Sequence, residues 1–289
     1  MASRNLLLSL RLLLLAGCIF LAAKRPATAA EPWHTFALPS LFQEKMPKVR
    51  VLLPGDFDAN KRYPVIYVLP ILVDGDERAA RFGDGLEEIE ALDLNDIHDA
   101  IFVAPSFTRH PWYADHHTRV DIRQESHLLD VVVPFIDANY PVVPGREGRL
   151  LMGFSASGWG AAGLALRNPG VFARAAVWDA PLMQDTPRWS MLTVLGNREN
   201  FEHHRVDRSA AGQRGESDPL LILVGCQVFC DHHAKAHEHF LRYNIPHVFG
   251  RTPPTSHVWT SGWLSQAVAG LLDDTPDEAS GYQTVSAAK

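Results

Sequence analysis

Short apolar runs alternate with amphipathic segments along most of this chain, and this alternation limits the fold more than any other feature. The runs are rich in Val, Ile and Leu, and they read VRVLLP, YPVIYVLP, DAIFVAP, RLLMGFS, RAAVWDAP, LLILVGC and HVFG. Runs of this kind are typical of parallel strands that are covered on both faces. The segments DIRQESHLLDVVVPFIDANY and GWLSQAVAGLLDD carry apolar residues at helical spacing. The pattern predicts a doubly wound α/β fold with a mostly parallel central sheet and helices on both faces.

The composition fits one globular domain, which we place at residues 30–274. Of the 289 residues, 46% are hydrophobic and 21% are charged, which allows a sizeable core. The formal charge is -6 and no Lys/Arg run occurs, so we expect no nucleic-acid partner. The stretch 182–218 is too long for an ordinary connection, so it predicts a lid-like or substrate-facing insertion. The tail 275–289 has no apolar periodicity and is predicted to be disordered.

The first 29 residues have the pattern of a signal peptide. Arg4 and Arg11 precede the apolar core LLLLAGCIFLAA, and the segment 27–29, Ala-Thr-Ala, offers a cleavage site. The core is shorter than the about 20 apolar residues that span a bilayer. We therefore predict export to the periplasm or the medium, with no membrane contact beyond the export signal. Two alternatives stay open, namely an uncleaved anchor and a lipoprotein anchored at Cys18, since residues 15–18 resemble a lipobox.

Cleavage after residue 29 leaves two cysteines, Cys226 and Cys230. In an oxidising compartment they could pair across a small loop. The alternative is two free, partly buried thiols, and the sequence does not decide between them.

Ser155 is the candidate nucleophile. It ends an apolar run and precedes a helix start rich in Gly and Ala, in the sequence Gly153-Phe-Ser-Ala-Ser157. A G-x-S-x-G motif indicates a nucleophilic serine when it lies between a strand and a helix, and Ser157 here replaces its final glycine. The turn is sharp, so the residues two before and two after the serine must be small. The alternative is a small-residue turn without any chemistry.

A serine hydroxyl needs a base, and the base needs an acid. His257 lies between the last apolar run and the last helix, which fits the chain order nucleophile, acid, histidine. Asp231 follows LLILVG by six residues and is the favoured acid because of that order. Asp179, one strand earlier in AAVWDAP, is the alternative acid. A bond between the two cysteines would stiffen the loop that presents Asp231.

The remaining candidates concern the oxyanion and the substrate pocket. The N–H of Ala156 and that of Ile71 or Leu72 are the expected oxyanion donors. Trp112 and Tyr113 follow a strand at the ligand-facing edge of the sheet, and they are either pocket or packing residues. His233 and His237 are four apart on one helix, but no third ligand is evident, so we predict no metal site. No cofactor is expected.

The residues also resemble a family. RYPVIYVLP, FVAPS with WYADH, GFSASGWGAAGLALRNPGVFARA and SHVW resemble the esterase D (putative esterase) family of α/β-hydrolases over roughly residues 45–272. That group includes feruloyl and acetylxylan esterases, enterochelin esterases, S-formylglutathione hydrolase and mycolyltransferases. The resemblance implies an α/β-hydrolase fold with Ser155 as nucleophile, His257 as base and Asp231 as the nearest match to the acid.

Three positions depart from the family pattern. The segment 70–71, Pro-Ile, stands where His-Gly or Asp-Gly is common, the acid lies farther from its strand, and Ser157 replaces a glycine. We predict an exported serine esterase that acts on carbohydrate-linked or other small extracellular esters through an acyl-enzyme. The alternatives are an acyltransferase and a non-catalytic binding protein with the same fold.

Overall fold

The computed structural model describes residues 33–212, 219–250 and 256–273, together with the backbone of 282–285. The predicted signal peptide, with Cys18, lies outside the described residues. Within the described part of the chain, no helix is long and apolar enough to cross a membrane.

One nine-stranded sheet runs through the described residues. Its strands lie in the order β1-β2-β4-β3-β5-β6-β7-β8-β9. The pairs from β4 across to β8 are parallel, whereas the β1–β2, β2–β4 and β8–β9 pairs are antiparallel. The strands are β1 Trp33–Ala37, β2 Lys48–Leu52, β3 Val65–Val68, β4 Ile101–Pro105, β5 Arg149–Phe154, β6 Arg174–Trp178, β7 Leu220–Gly225, β8 His247–Gly250 and β9 Tyr282–Val285. This is the mostly parallel α/β architecture that the alternation of apolar runs predicts, and it agrees with the α/β-hydrolase fold that the family resemblance implies.

The helices are mostly short, and the longest ones flank the centre of the sheet. They are α1 Ala79–Phe82, α2 Gly85–Ala91, α3 Leu94–Ile97, α4 Gln124–His127, α5 Val133–Asn139, α6 Ser155–Arg167, α7 Met191–Leu195, α8 Arg198–His204, α9 Val206–Gly212, α10 Cys230–Tyr243 and α11 Leu264–Leu272. A π-helical turn, Leu128–Val132, joins α4 to α5, and a 3₁₀ turn, Arg146–Gly148, precedes β5. Pro134 in the first turn of α5 has no N–H to donate, which accounts for the irregular turn before it.

Side chains that alternate along the strands build two cores, one on each face of the sheet. In β3, Val65 and Tyr67 join the core under α5, α6 and α10, whereas Ile66 and Val68 join the core under α2 and α11. All four side chains are almost completely buried. The near-continuous apolar runs of the sequence are therefore explained by burial on both faces.

The insertion 182–218 is built largely into the body of the protein. Its described part forms α7, α8 and α9, and α9 packs against α6 and α10. Phe201, Val206 and Ala210 from this segment are fully buried. These helices bury apolar surface in the core, and two residues nearer the beginning of the segment, Trp189 and Ser190, line a cavity. A lid-like or substrate-facing role for the segment stays a prediction.

The tail departs from its predicted disorder in one place. Tyr282–Val285 forms β9, which pairs antiparallel with β8. Beyond β7, the β8 strand offers an outer row of unpaired N–H and C=O groups, and β9 satisfies them. The other residues of 275–289 lie outside the described part.

Candidate active site

Ser155 lies at the sharp junction between β5 and α6. Its φ is +53°, in the left-handed region that ordinary residues avoid at a cost of roughly 1–2 kcal/mol. The hydroxyl of Ser157 stabilises this turn, because its Oγ accepts from the Phe154 N–H at 3.1 Å and donates to the Phe154 carbonyl at 2.9 Å. Ser157 is fully buried. The residue that replaces the usual glycine therefore has a structural partner of its own.

The glycine before the nucleophile is required by space. A Cβ at Gly153 would lie 2.3 Å from the Ser157 carbonyl oxygen, which no side chain can tolerate. A Cβ at Gly158 would lie 2.7 Å from the Ala180 Cβ. The small residues on both sides of the serine thus allow α6 to begin close against β5 and β6.

His257 pairs with Asp179, the alternative acid of the sequence analysis, and not with Asp231. Its Nδ1 lies 2.6 Å from Asp179 Oδ2. Asp179 immediately follows β6, and β6 is the neighbour of β5 in the sheet, so the aspartate and the serine emerge side by side. Its side chain is completely inaccessible to solvent.

The preference for Asp231 is corrected by this geometry. Asp231 is exposed in the first turn of α10 and borders a polar cavity with Asp185, Arg188 and Lys235. A carboxylate in the first turn of a helix is stabilised by the helix dipole, and this structural position accounts for Asp231.

Three consecutive backbone amides hold the Asp179 carboxylate. Its Oδ1 accepts from the N–H groups of Gln227, Val228 and Phe229 at 2.9, 2.9 and 2.7 Å. Burial by itself would raise the pKa of Asp179, but the hydrogen bond from His257 and the three amides outweigh it and lower the pKa to about 2. The carboxylate is therefore ionised at any ordinary pH and acts only as an acceptor.

Aromatic rings fix the position of His257. Its ring contacts the edge of Phe154, the residue before the nucleophile, at 5.0 Å between centroids, and that of Phe229 at 5.7 Å. Nearby, the Trp259 ring covers Gly85, where a Cβ would lie only 2.8 Å from it. Among the hydrogen bonds of the described residues, none involves the Ser155 hydroxyl; contacts between a nucleophile and its base often tighten only when substrate is bound.

A cavity of about 400 Å³ opens beside Ser155. Trp112 lines it, and the ring of Trp189 lies nearly parallel to that of Trp112 at 5.8 Å. Trp112 Nε1 donates to the Ser190 hydroxyl at 3.2 Å, which holds the insertion segment against the cavity. Trp189 is 64% exposed at the cavity wall, and no sequence pattern singled it out.

Tyr113 does not line this cavity, but it contacts residues next to it. The side chain is fully buried, and its hydroxyl donates to the Pro70 carbonyl. Its ring packs against Gly160 of α6, where a Cβ would lie 2.1 Å from Tyr113 Cδ2. Of the two readings for Tyr113, packing is therefore the one that fits.

The expected oxyanion donors converge on this cavity. Ile71, Leu72 and Ala156 all line it together with Ser155. Among the backbone hydrogen bonds of the described turns and loops, none uses the N–H of Ile71 or Leu72. The segment that departs from the family pattern at Pro70 thus still has amides that are able to bind an anion.

A second cavity, of about 470 Å³, shares the wall formed by Ile71 and Leu72. It is lined by Lys48, Arg50 and Asp84 among others, and none of Ser155, Asp179 and His257 borders it. The smaller cavity is therefore the one that the nucleophile can serve.

Two histidines of helix α10 have hydrogen-bond partners within the protein. His233 is buried, and its Nε2 accepts from the Ala180 N–H at 2.9 Å, next to Asp179. Its neighbour on that face, His237, lies with Nδ1 at 2.8 Å from His247 Nε2. In the described ranges, no group of three or more His, Cys, Asp or Glu side chains is placed to hold a metal ion. Cys226 and Cys230 are joined by a disulfide bond.

Solved structures with the same fold include several ester hydrolases. A ferulic acid esterase matches with a TM-score of 0.65 at 18% identity, over 83% of this chain and 97% of its own. The serine hydrolase FphF of Staphylococcus aureus, described as fluorophosphonate-binding, matches with a TM-score of 0.64 at 17% identity, over 84% and 98%. An S-formylglutathione hydrolase from Agrobacterium tumefaciens matches with a TM-score of 0.63 at 15% identity, over 83% and 95%. These likenesses establish the shared fold.

Comparison of the sequence itself gives the family. None of the curated proteins matches the chain significantly. The family model described as Putative esterase matches residues 41–225, which is more than half of the chain and includes Ser155 and Asp179. The chain therefore belongs to the putative esterase family and is an ester-hydrolysing enzyme.

Proposed function

We propose that this enzyme hydrolyses carboxylic esters through a triad of Ser155, His257 and Asp179, by way of an acyl-enzyme. The observation that carries the proposal is the 2.6 Å contact between His257 Nδ1 and Asp179 Oδ2, beside the strained turn at Ser155. Because the ionised carboxylate can only accept, Nδ1 carries the proton, and Nε2 keeps a lone pair for the serine hydroxyl.

The reaction then has two halves. His257 Nε2 removes the proton of Ser155 as Oγ attacks the acyl carbon, and the N–H of Ala156 with that of Ile71 or Leu72 binds the oxyanion. The imidazolium gives its proton to the departing alcohol. In the second half, His257 deprotonates a water molecule that attacks the acyl-enzyme, and Ser155 is released with its proton.

We propose that the cavity beside Ser155 binds an acyl group with a flat or apolar face. Its volume of about 400 Å³ and the parallel rings of Trp112 and Trp189 support this. Ferulic acid esterases occur among the proteins of the same fold, so an aryl ester belongs in the first substrate panel. Carbohydrate-linked and other small extracellular esters remain the proposed substrate class.

Export is also proposed. The basic and apolar pattern of residues 1–29 supports it, and so does the bond between Cys226 and Cys230, because such bonds persist in oxidising compartments. Cell fractionation with mass analysis of the N-terminus tests it. A free amino terminus near residue 30 indicates cleavage, a lipid on Cys18 indicates anchoring, and an intact chain in the cytosol refutes export.

Fluorophosphonate labelling with intact mass analysis tests the triad. Wild type should gain one adduct, and Ser155→Ala should gain none. Ser190→Ala is the matched control, since it removes another hydroxyl from the same cavity, and it should still form the adduct. A folded wild type without an adduct would contradict the proposed role of Ser155. Product analysis with an added alcohol separates hydrolysis from acyl transfer.

A further inference from the structure

The disulfide bond encloses the loop that holds the catalytic acid. Cys226 directly follows β7, Cys230 begins α10, and the bond between them spans only Gln227, Val228 and Phe229. These are the three residues whose N–H groups donate to Asp179 Oδ1. Every amide in the enclosed loop thus donates to Asp179 Oδ1, and the N–H of Val228 also lies 3.0 Å from Oδ2.

Packing contributes little to holding this loop. Gln227 and Val228 are exposed, and Val228 retains 57% of its accessible surface. The Phe229 ring makes edge contacts with Trp189, His257 and His232, and it is the one side chain of the three that packs against other rings. An exposed loop with few buried apolar contacts opens readily. In the open loop, the three N–H groups would donate to water instead of to Asp179.

We propose that the Cys226–Cys230 disulfide positions the catalytic acid. It does so by fixing three consecutive N–H groups around Asp179 Oδ1. The proposal rests on the proposed triad. With Oδ1 anchored, Oδ2 is directed at His257 Nδ1, which sets the orientation of the imidazole. Consecutive amides that point at one anion are a known way to bind it, and here the bond preserves their arrangement.

This role predicts an effect on turnover without an effect on substrate binding. No residue of 226–230 lines the cavity beside Ser155. Removal of the bond should therefore leave KM within about 2-fold, while kcat falls by about 10- to 100-fold, the usual cost of a displaced catalytic group. The hydrogen-bonded Nδ1 proton of His257, which NMR detects far downfield, should broaden or shift.

The first experiment compares wild type with the double variants Cys226→Ser/Cys230→Ser and Cys226→Ala/Cys230→Ala, all assayed at a temperature at which each is folded. Both double variants lack the disulfide bond, so they should have the same activity. If neither folds, folded wild type treated with tris(2-carboxyethyl)phosphine provides the same comparison; the bond is reduced to two thiols, and the phosphine becomes its oxide with oxygen from water. Unchanged kcat in a folded protein that lacks the bond would overturn the proposal.

The second experiment asks whether the bond acts through Asp179. The cysteine pair is replaced again in an Asp179→Asn background, where we expect a further loss of less than about 2-fold, because coupled residues are not additive. An equal loss in both backgrounds would overturn the proposal and assign the bond a general structural role. If Asp179→Asn alone is fully active, the proposed triad itself has failed, and this outcome is distinct from the other two.

Discussion

Replacement of Asp179 by asparagine should disable His257 without disturbing the fold. Oδ1 accepts three N–H groups, so the asparagine side chain must place its carbonyl oxygen there. Its NH₂ group then faces His257 Nδ1 and donates to it. The imidazole is forced into the tautomer with its proton on Nε2, and this nitrogen can no longer accept the proton of Ser155.

The size of the effect follows from that tautomer. The corresponding change in a serine protease triad lowers kcat by about 10⁴-fold, which is about 5 kcal/mol of transition-state stabilisation. We expect a loss of this order here, since the three amides leave the asparagine no second orientation. The substitution preserves volume and two polar atoms, so the melting temperature should change little.

The assay is kcat/KM for p-nitrophenyl acetate, with circular dichroism to establish that each variant is folded. Asp231→Asn is the matched control, because Asp231 is the acid that the sequence alone favours, and this variant should retain wild-type activity. Asp179→Asn with more than about a tenth of wild-type activity would refute the reasoning, and so would a large loss in Asp231→Asn alone.

Three further predictions follow from the packing, the buried histidine and the cavity. Gly153→Ala should lower the free energy of unfolding by about 3 kcal/mol or more, because its Cβ would overlap the Ser157 carbonyl, while Gly170→Ala, with open space around it, should be neutral; equal denaturation midpoints would contradict this. Burial lowers the pKa of His233 from 6.5 to about 4. As the pH falls, this histidine is therefore protonated in the unfolded chain before it is protonated in the folded protein. The free energy of unfolding should therefore fall by up to about 3 kcal/mol from this group as the pH drops from 6.5 towards 4, and urea titrations of His233→Gln should show a flatter decline; an unchanged slope would refute it. Trp189→Ala should raise KM for methyl ferulate by about 3- to 10-fold and much less for methyl acetate; an equal change for both esters would exclude the stacking role.

The sequence was sufficient for the fold and for the sharp turn that carries Ser155. Apolar runs indicate burial on both faces of the sheet, and a serine between a strand and a helix rich in small residues indicates the turn. Both are local patterns, so they can be recognised in the sequence without knowledge of tertiary contacts. β1 was missed because WHTFA is a mixed edge strand, without the apolar run that marks the interior strands.

The aspartate that pairs with His257 could not be chosen from chain order. Asp179 and Asp231 both follow strands, and only the position of β6 beside β5, with the tertiary placement of His257, distinguishes them. A signal was available in AAVWDAP, where the aspartate directly follows a buried strand. His233 and Trp189 were out of reach for the same reason, since their roles depend on contacts with residues far away in the chain.

The loop after β7 contributes three N–H groups to Asp179 and the Phe229 ring to His257. Any residue except proline at positions 227 and 228 would supply the same N–H, so the hydrogen bonds to Asp179 place almost no demand on the identity of those two side chains. Gln227 and Val228 point to solvent near a polar cavity. The outer surface of the loop is therefore free to change, and with it the molecules that this surface contacts, while the Asp179 carboxylate keeps its three N–H donors.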